Sequence, residues 1–236
     1  MPNWTMNKIT CKKSIGDKIL TKTDDGYSFD FNKLIPMPKE MNIPAGSTEH
    51  IAVASYYHSL DKQGKRDLED QLEKSKVFFD SDYWRRYKTY IDDYTKYPDK
   101  LKKEEENFKY RDNDQIKKFN SYAELGKQYI DNIINHGYSQ WYDWCSEVWG
   151  TKWNVEDEVD VEYYPENDEY EIEFNTAWCV PYGIVEEYSK LCSDEEFDWQ
   201  YINEDYDGHH HLTKYKNKIC DTVTFEKRNE EDFDIE

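Results

Sequence analysis

The chain has 236 residues, with 51 Asp and Glu against 31 Lys and Arg, a net charge of −20, and an aromatic content of 17%. That length supports one large domain or two small ones with a core that needs no disulfide staples, and the abundance of rings excludes a disordered chain. The charge disfavours nucleic acid and anionic membranes as direct partners, and favours cations or basic protein surfaces.

Residues 4–12 alternate around Trp4, Met6 and Ile9 and predict a first strand. "SIGDK" and "TDDG" read as turns. "YSFDFNKLIPMPKEM" carries Pro36 and Pro38, which bar a helix interior or a central strand, so it is expected to lie extended over the core on Phe29, Phe31, Leu34 and Ile35. Beyond it the period becomes helical: Leu68, Leu72, Phe79, Tyr83, Tyr87, Tyr90 and Tyr94 recur at three, four or seven, until Tyr97 precedes Pro98. "DKLKKEEENFKYR" has i,i+4 charge pairs and reads as a solvated helix or linker. A further helix is expected from Asp112 and Gln115, a capping-box-like pair, to Gly137, burying Ile116, Phe119, Leu125, Tyr129, Ile130 and Ile133.

Half of the eight tryptophans follow in "WYDWCSEVWGTKWN". Trp141, Trp144, Cys145, Val148 and Trp149 sit at i, i+3, i+4, i+7 and i+8 with Gly150 just beyond, which predicts one apolar helical stripe rather than a binding patch. After residue 155 the period is two. Val159, Val161 and Tyr163 alternate with Glu158, Asp160 and Glu162; after a turn, Tyr170, Ile172 and Phe174 alternate with Glu169, Glu171 and Glu173. A helix over "VPYGIVEEYSKLCS", a strand on Phe197, Trp199 and Tyr201, and one or two closing strands complete the pattern. The predicted fold class is α+β: a ferredoxin-like mixed or antiparallel sheet with one or two packing helices, interrupted by a mainly helical insertion. The predicted parts are residues 1–44, a strand and extended segment on the sheet; 45–137, the insertion; and 138–236, a Trp-rich joint and an acidic ferredoxin-like part.

Several strings, taken in order, resemble one family: "MPNW", "FDFNKLIPMP", "YDW", "WGTKWN" and "FNTAW", with Pro181 soon after. They are similar to the Api-like (YubB-like) proteins of phages, prophages and plasmids. The likeness covers both ends and the Trp-rich joint but not residues 45–125. It implies a mobile-element origin and a C-terminal ferredoxin-like domain. It brings no catalytic residues, and interference with a host process is its family-level expectation. Thr5 stands where relatives often have Cys, which argues against a thiol role there.

Residues 154–207 hold 19 acidic side chains and one lysine, so a net −18 of the chain's −20 resides in this segment. Like charges across paired strands oppose folding, so the carboxylates of Glu158, Asp160, Glu162, Glu169, Glu171 and Glu173 need the chain's own cations, solvent and salt, a basic partner, or a metal. Spacing at i,i+2 along a strand, roughly 6.5–7 Å, is too wide for a single ion. His209 and His211 could share one, but no other ligands complete a set. Five scattered cysteines form no framework, and no phosphate-cradling or nucleophile-elbow motif occurs. No leader and no long apolar run is visible, so a soluble protein of the host cytoplasm is expected.

The expectation is a phage or mobile-element accessory protein without enzymatic activity. As an anti-defence or anti-CRISPR type inhibitor, it would set these six carboxylates, in place of phosphates, against the basic surface of a host nucleic-acid-handling protein. No cofactor, metal, membrane or direct nucleic-acid contact is expected. The alternative is a small-ligand or metal-dependent activity in a pocket formed by Lys152, Trp153, Asn154 and Trp178, between the Trp-rich joint and the sheet.

Overall fold

The computed structural model describes residues 3–24, 26–74, 83–111, 113–155, 159–192, 198–215 and 218–225. In chain order the elements are β1 (Trp4–Lys12), α1 (Lys13–Ile19), β2 (Leu20–Lys22), β3 (Tyr27–Phe29), α2 (Ser47–Ser59), α3 (Lys62–Lys74), α4 (Tyr83–Lys96), α5 (Pro98–Asn107), α6 (Tyr122–His136), α7 (Trp141–Trp144), β4 (Asp160–Tyr164), β5 (Glu169–Ala177), α8 (Tyr182–Leu191), β6 (Asp198–Asn203), β7 (His209–Tyr215) and β8 (Lys218–Thr224). They form two compact units, a discontinuous one of Met1–Pro36 with Cys145–Glu236 and a continuous helical one of Met37–Trp144.

The discontinuous unit is α+β. Its sheet has six strands in the order β4-β5-β1-β6-β7-β8, and all the pairings are antiparallel. The first four strands, with α1 after β1 and α8 after β5, reproduce the ferredoxin-like arrangement, and the β7–β8 hairpin extends it. Register lines up one apolar row across five strands: Val161, Ile172, Ile9, Trp199 and Leu212. Of these, Ile9, Ile172, Trp199 and Leu212 have no exposed surface. Rings build the rest of the core. Phe31 meets Trp149, Phe29 meets Phe174, and Trp199 lies between Phe174 and Tyr188, all edge-to-face at 5.2–5.7 Å. The Trp149 indole N–H donates to the Ile35 carbonyl at 2.9 Å, and Phe29 and Phe31 are buried as expected, but the segment is not extended throughout: Phe31–Lys33 form a 3-10 turn, and Leu34 and Ile35 are half-buried.

Two further expectations change here. "SIGDK" is not a turn but most of α1, which buries Ile15, Gly16 and Ile19. Gly16 is needed for contact: a Cβ there would stand 2.3 Å from the Tyr170 ring. Second, the Trp-rich stretch is not one regular helix. α7 ends at Trp144, and Cys145–Trp149 continue as a π-helical turn, closed by the Gly150 N–H on the Cys145 carbonyl at 3.1 Å. Trp144, Cys145 and Trp149 are buried nonetheless.

In the helical unit, α2 and α6 pack around Ala52, Leu125, Tyr129 and Ile133, joined by Tyr87 and Ile91 of α4. The segment after Asp112, which itself lies outside the described residues, forms turns; α6 begins only at Tyr122. Its cap is Ser121, whose hydroxyl accepts from the Glu124 N–H, while the Glu124 carboxylate reaches back to the Asn120 N–H. Glu49 of α2 is buried, with the Tyr87 hydroxyl donating to it. Burial raises its pKa above the usual 4.5, against the opposing hydrogen bonds from Tyr87 and Ser139. Because the folded pKa lies above the unfolded one, Glu49 contributes stability below the ordinary carboxylate range and loses it as pH rises through the folded value. Glu49→Gln is therefore expected to remove a fall in stability just above about pH 4.5. Urea unfolding of both proteins across that window checks this; identical pH profiles would refute it.

Candidate functional site

Two features of the sheet unit concentrate charge. The first is the sheet face opposite the apolar row. Register sets Asp160, Glu173, Lys8 and Gln200 in one row, Glu162, Glu171, Thr10 and Asp198 in the next, and Tyr164, Glu169 and Lys12 in a third. These rows hold six carboxylates and two lysines, net −4. Lys8 bridges Glu171 at 2.6 Å and Glu173 at 3.2 Å, and Lys12 pairs with Glu169 at 2.9 Å. Burial alone would lower the pKa of the Lys8 ammonium, yet its bonds to Glu171 and Glu173 outweigh that and raise it. The central strand thus supplies the compensating cations that a run of cross-strand carboxylates demands. At the edge, Asp160 and Glu162 are exposed and have no ion pair among the described residues; Glu162 accepts only the Tyr164 hydroxyl, at 2.8 Å. Glu158 lies outside the described residues.

The second feature lies at the opposite end of β1. The Cys145–Trp149 turn delivers Gly150 and Lys152–Asn154, and the hydroxyl of Thr151 ties this segment to the Ala177 carbonyl at 2.8 Å. Trp178 follows β5 with φ +74°, a left-handed conformation rare for a bulky residue, and its N–H bonds the Asn3 carbonyl at 2.8 Å. The Lys152 ammonium sits 4.1 Å from the Trp153 ring centroid and 4.7 Å from that of Trp178, and Trp153 meets Trp4 edge-on at 6.5 Å. Beside these rings is a cavity of about 210 Å³. Trp4 and Trp178 line it together with Asn3 and the β6–β7 turn residues Asn203, Glu204, Asp205 and Asp207.

Each carboxylate of the turn accepts a bond from a neutral donor. Glu204 takes the Trp4 N–H and Asp205 the Asn3 amide, both at 2.7 Å, and Asp207 takes the Asn203 amide at 3.1 Å. Burial would raise the pKa of Asp207, but the hydrogen bonds from Asn203 and His210 lower it, so it stays ionised. Behind it, buried His210 faces Asp207 with Nε2 at 3.1 Å and Asp221 with Nδ1 at 2.9 Å, and stacks on Tyr201 at 4.2 Å. With a carboxylate at each ring nitrogen, His210 links Asp207 to Asp221.

Of the four residues expected to form a pocket, Trp178 lines the cavity, and Lys152 and Trp153 stack beside it. Asn154 serves the fold: its amide donates to Asp30 at 2.7 Å and its oxygen accepts the Phe31 N–H at 2.9 Å. Trp4, Asn3 and the turn at 203–207 complete the site without having been expected there. Cys145 is buried, and burial pushes its thiol up to about 12. Among the described residues no three His, Cys, Asp or Glu side chains are grouped to hold a metal ion, and no helix is long and apolar enough to cross a membrane.

No family model matches the chain, and no curated protein matches it. Among solved structures it is similar to the crystal structure of protein api92 from Yersinia pseudotuberculosis, described with the family model DUF1281. The identity is 10% and the TM-score 0.40, over 97% of this chain and 100% of that one.

Proposed function

We propose that this chain is an Api-like accessory protein of a phage or other mobile element, acting without catalysis as an acidic binding protein. Its partner is the basic surface of a host protein that handles nucleic acid, a defence effector of the CRISPR kind included. The observation that carries the reading is the net −4 sheet face, where Lys8 and Lys12 pair with Glu169, Glu171 and Glu173 while Asp160 and Glu162 at the edge have no ion pair among the described residues. Regularly spaced carboxylates on a stiff sheet stand in for phosphates, and their field speeds encounter and selects partners. The resemblance of five sequence strings, in order, to those of Api-like proteins supports the mobile-element origin, and the host cytoplasm is where such a partner would be met.

The test is capture from host extract by the tagged chain and by its Asp160→Lys/Glu162→Lys variant, which reverses charge at the exposed edge and spares the lysine pairs. The wild type is expected to retain nucleic-acid-binding proteins that added duplex DNA or RNA releases, and the variant to lose them. Equal capture by both chains, or capture indifferent to nucleic acid, would refute the reading.

A further inference from the structure

We infer that the cavity walled by Trp4 and Trp178 binds a small organic cation, an alkylammonium or guanidinium group. Carboxylates on a turn would by themselves describe only a solvated loop; the indoles are an independent feature. Trp178 is 45% exposed, and the Lys152 ammonium lies 4.7 Å from its ring centroid, a contact of the same kind as the one assigned to the ligand. A tryptophan face is the strongest of the aromatic partners for a cation. Lys152 is not itself part of the cavity lining.

Charge points the same way. Glu204, Asp205 and Asp207 line the cavity; Glu204 bonds the Trp4 backbone N–H, Asp205 the Asn3 amide, and Asp207 the Asn203 amide and His210. At Glu204 and Asp205 neutral donors fix the carboxylates in place without cancelling their field, which leaves an ordered anionic rim beside the two indoles. Size narrows the ligand further. About 210 Å³ is below the roughly 300–1,000 Å³ of typical drug-sized sites, so the cavity suits an amine or guanidine head group rather than a nucleotide.

Agmatine, which carries both groups, is the probe for the free small molecule, and N-acetyl-arginine amide is the probe for a protein side chain. Each is titrated calorimetrically at constant ionic strength set with NaCl, with CaCl2 as a third arm. Saturable binding of either organic cation at one site per chain is expected, the tighter one identifying the source. Trp178→Gly removes the ring at a position whose positive φ suits glycine, so the fold should tolerate it, and Asp205→Asn removes one rim charge. Each variant should bind about tenfold more weakly, the loss expected of one partly desolvated cation–π or charge contact. Asp160→Lys/Glu162→Lys, on the sheet face, should change binding by less than about twofold because salt screens it; this site and the proposed function can therefore fail separately. No saturable binding of either organic cation, unchanged affinity in both variants, or binding of calcium alone would overturn the assignment.

Discussion

Trp199→Ala is expected to cost the sheet unit about 3–5 kcal/mol, the range for removing a fully buried aromatic from a core. Trp199 has no exposed surface, sits mid-row between Ile9 and Leu212, and touches both Phe174 and Tyr188. A polar debt adds to the cavity. Its indole N–H donates at 3.1 Å to Asn7, itself buried, whose amide is committed to the Thr5 carbonyl and the Thr176 hydroxyl, both at 2.9 Å. Without the indole, the Asn7 oxygen keeps no donor there, a further cost of about 1–3 kcal/mol. Against a typical total of about 5–15 kcal/mol, the variant should be largely unfolded at mild denaturant concentrations. Trp199→Phe separates the two effects, since it retains most of the apolar volume but not the donor. Urea unfolding followed by circular dichroism measures both. A loss below about 1.5 kcal/mol for the alanine variant would mean that the five-strand row is not the centre of the core.

Gly126→Ala tests the helical unit, and there two effects of opposite sign compete. Alanine is the better helix former by about 0.8–1.0 kcal/mol, so at an exposed position in α6 the change would stabilise. At Gly126, however, a Cβ would stand 1.9 Å from the Ala52 carbonyl oxygen and 2.5 Å from its carbon. Those atoms are α2 backbone and cannot rotate away, so the two helices must part. Overpacking of this kind costs about 1–3 kcal/mol and occasionally more, which outweighs the propensity gain. A lower melting temperature is expected; a rise would show that α2 and α6 do not approach so closely.

Much of this architecture is legible in the residues because alternation is a strong signal when both faces are chemically distinct. Glu169, Glu171 and Glu173 against Tyr170, Ile172 and Phe174 fix β5 and its orientation at once. α1 is not legible for the opposite reason: seven residues with a central glycine look like a turn until Tyr170 arrives from a distant strand to fill the space above Gly16. The start of α6 is ambiguous because Asp112/Gln115 and Ser121/Glu124 both have capping spacing, and only the second pair precedes a continuous buried face. Even spacing also hides the π-helical turn at Cys145–Trp149, since burial of Trp144 and Trp149 satisfies either geometry.

The cavity was only partly visible. Trp178 and its neighbours stand out as exposed-or-core rings, but Trp4 and Asn3 meet Asn203–Asp207 across about two hundred residues of chain through the β1–β6 pairing. The one local hint was the alternation of Asn203, Asp205 and Asp207 before Gly208, a rigid polar turn in a chain otherwise full of acids.

The division of the chain at Pro36 and Trp144 also sets an order of events during synthesis. Residues 37–144 emerge as one uninterrupted stretch, and their main packing, α2 on α6, is complete as soon as α6 has been made. β1 leaves the ribosome first among the strands, yet its two partners, β5 and β6, are made some 160–200 residues later. At about 5–20 residues per second the first strand waits roughly 10–40 s with both edges unpaired. Lys8 and Lys12, which later pair with carboxylates of β5, put positive charge on that waiting strand, and charge on an unpaired strand discourages pairing with another chain.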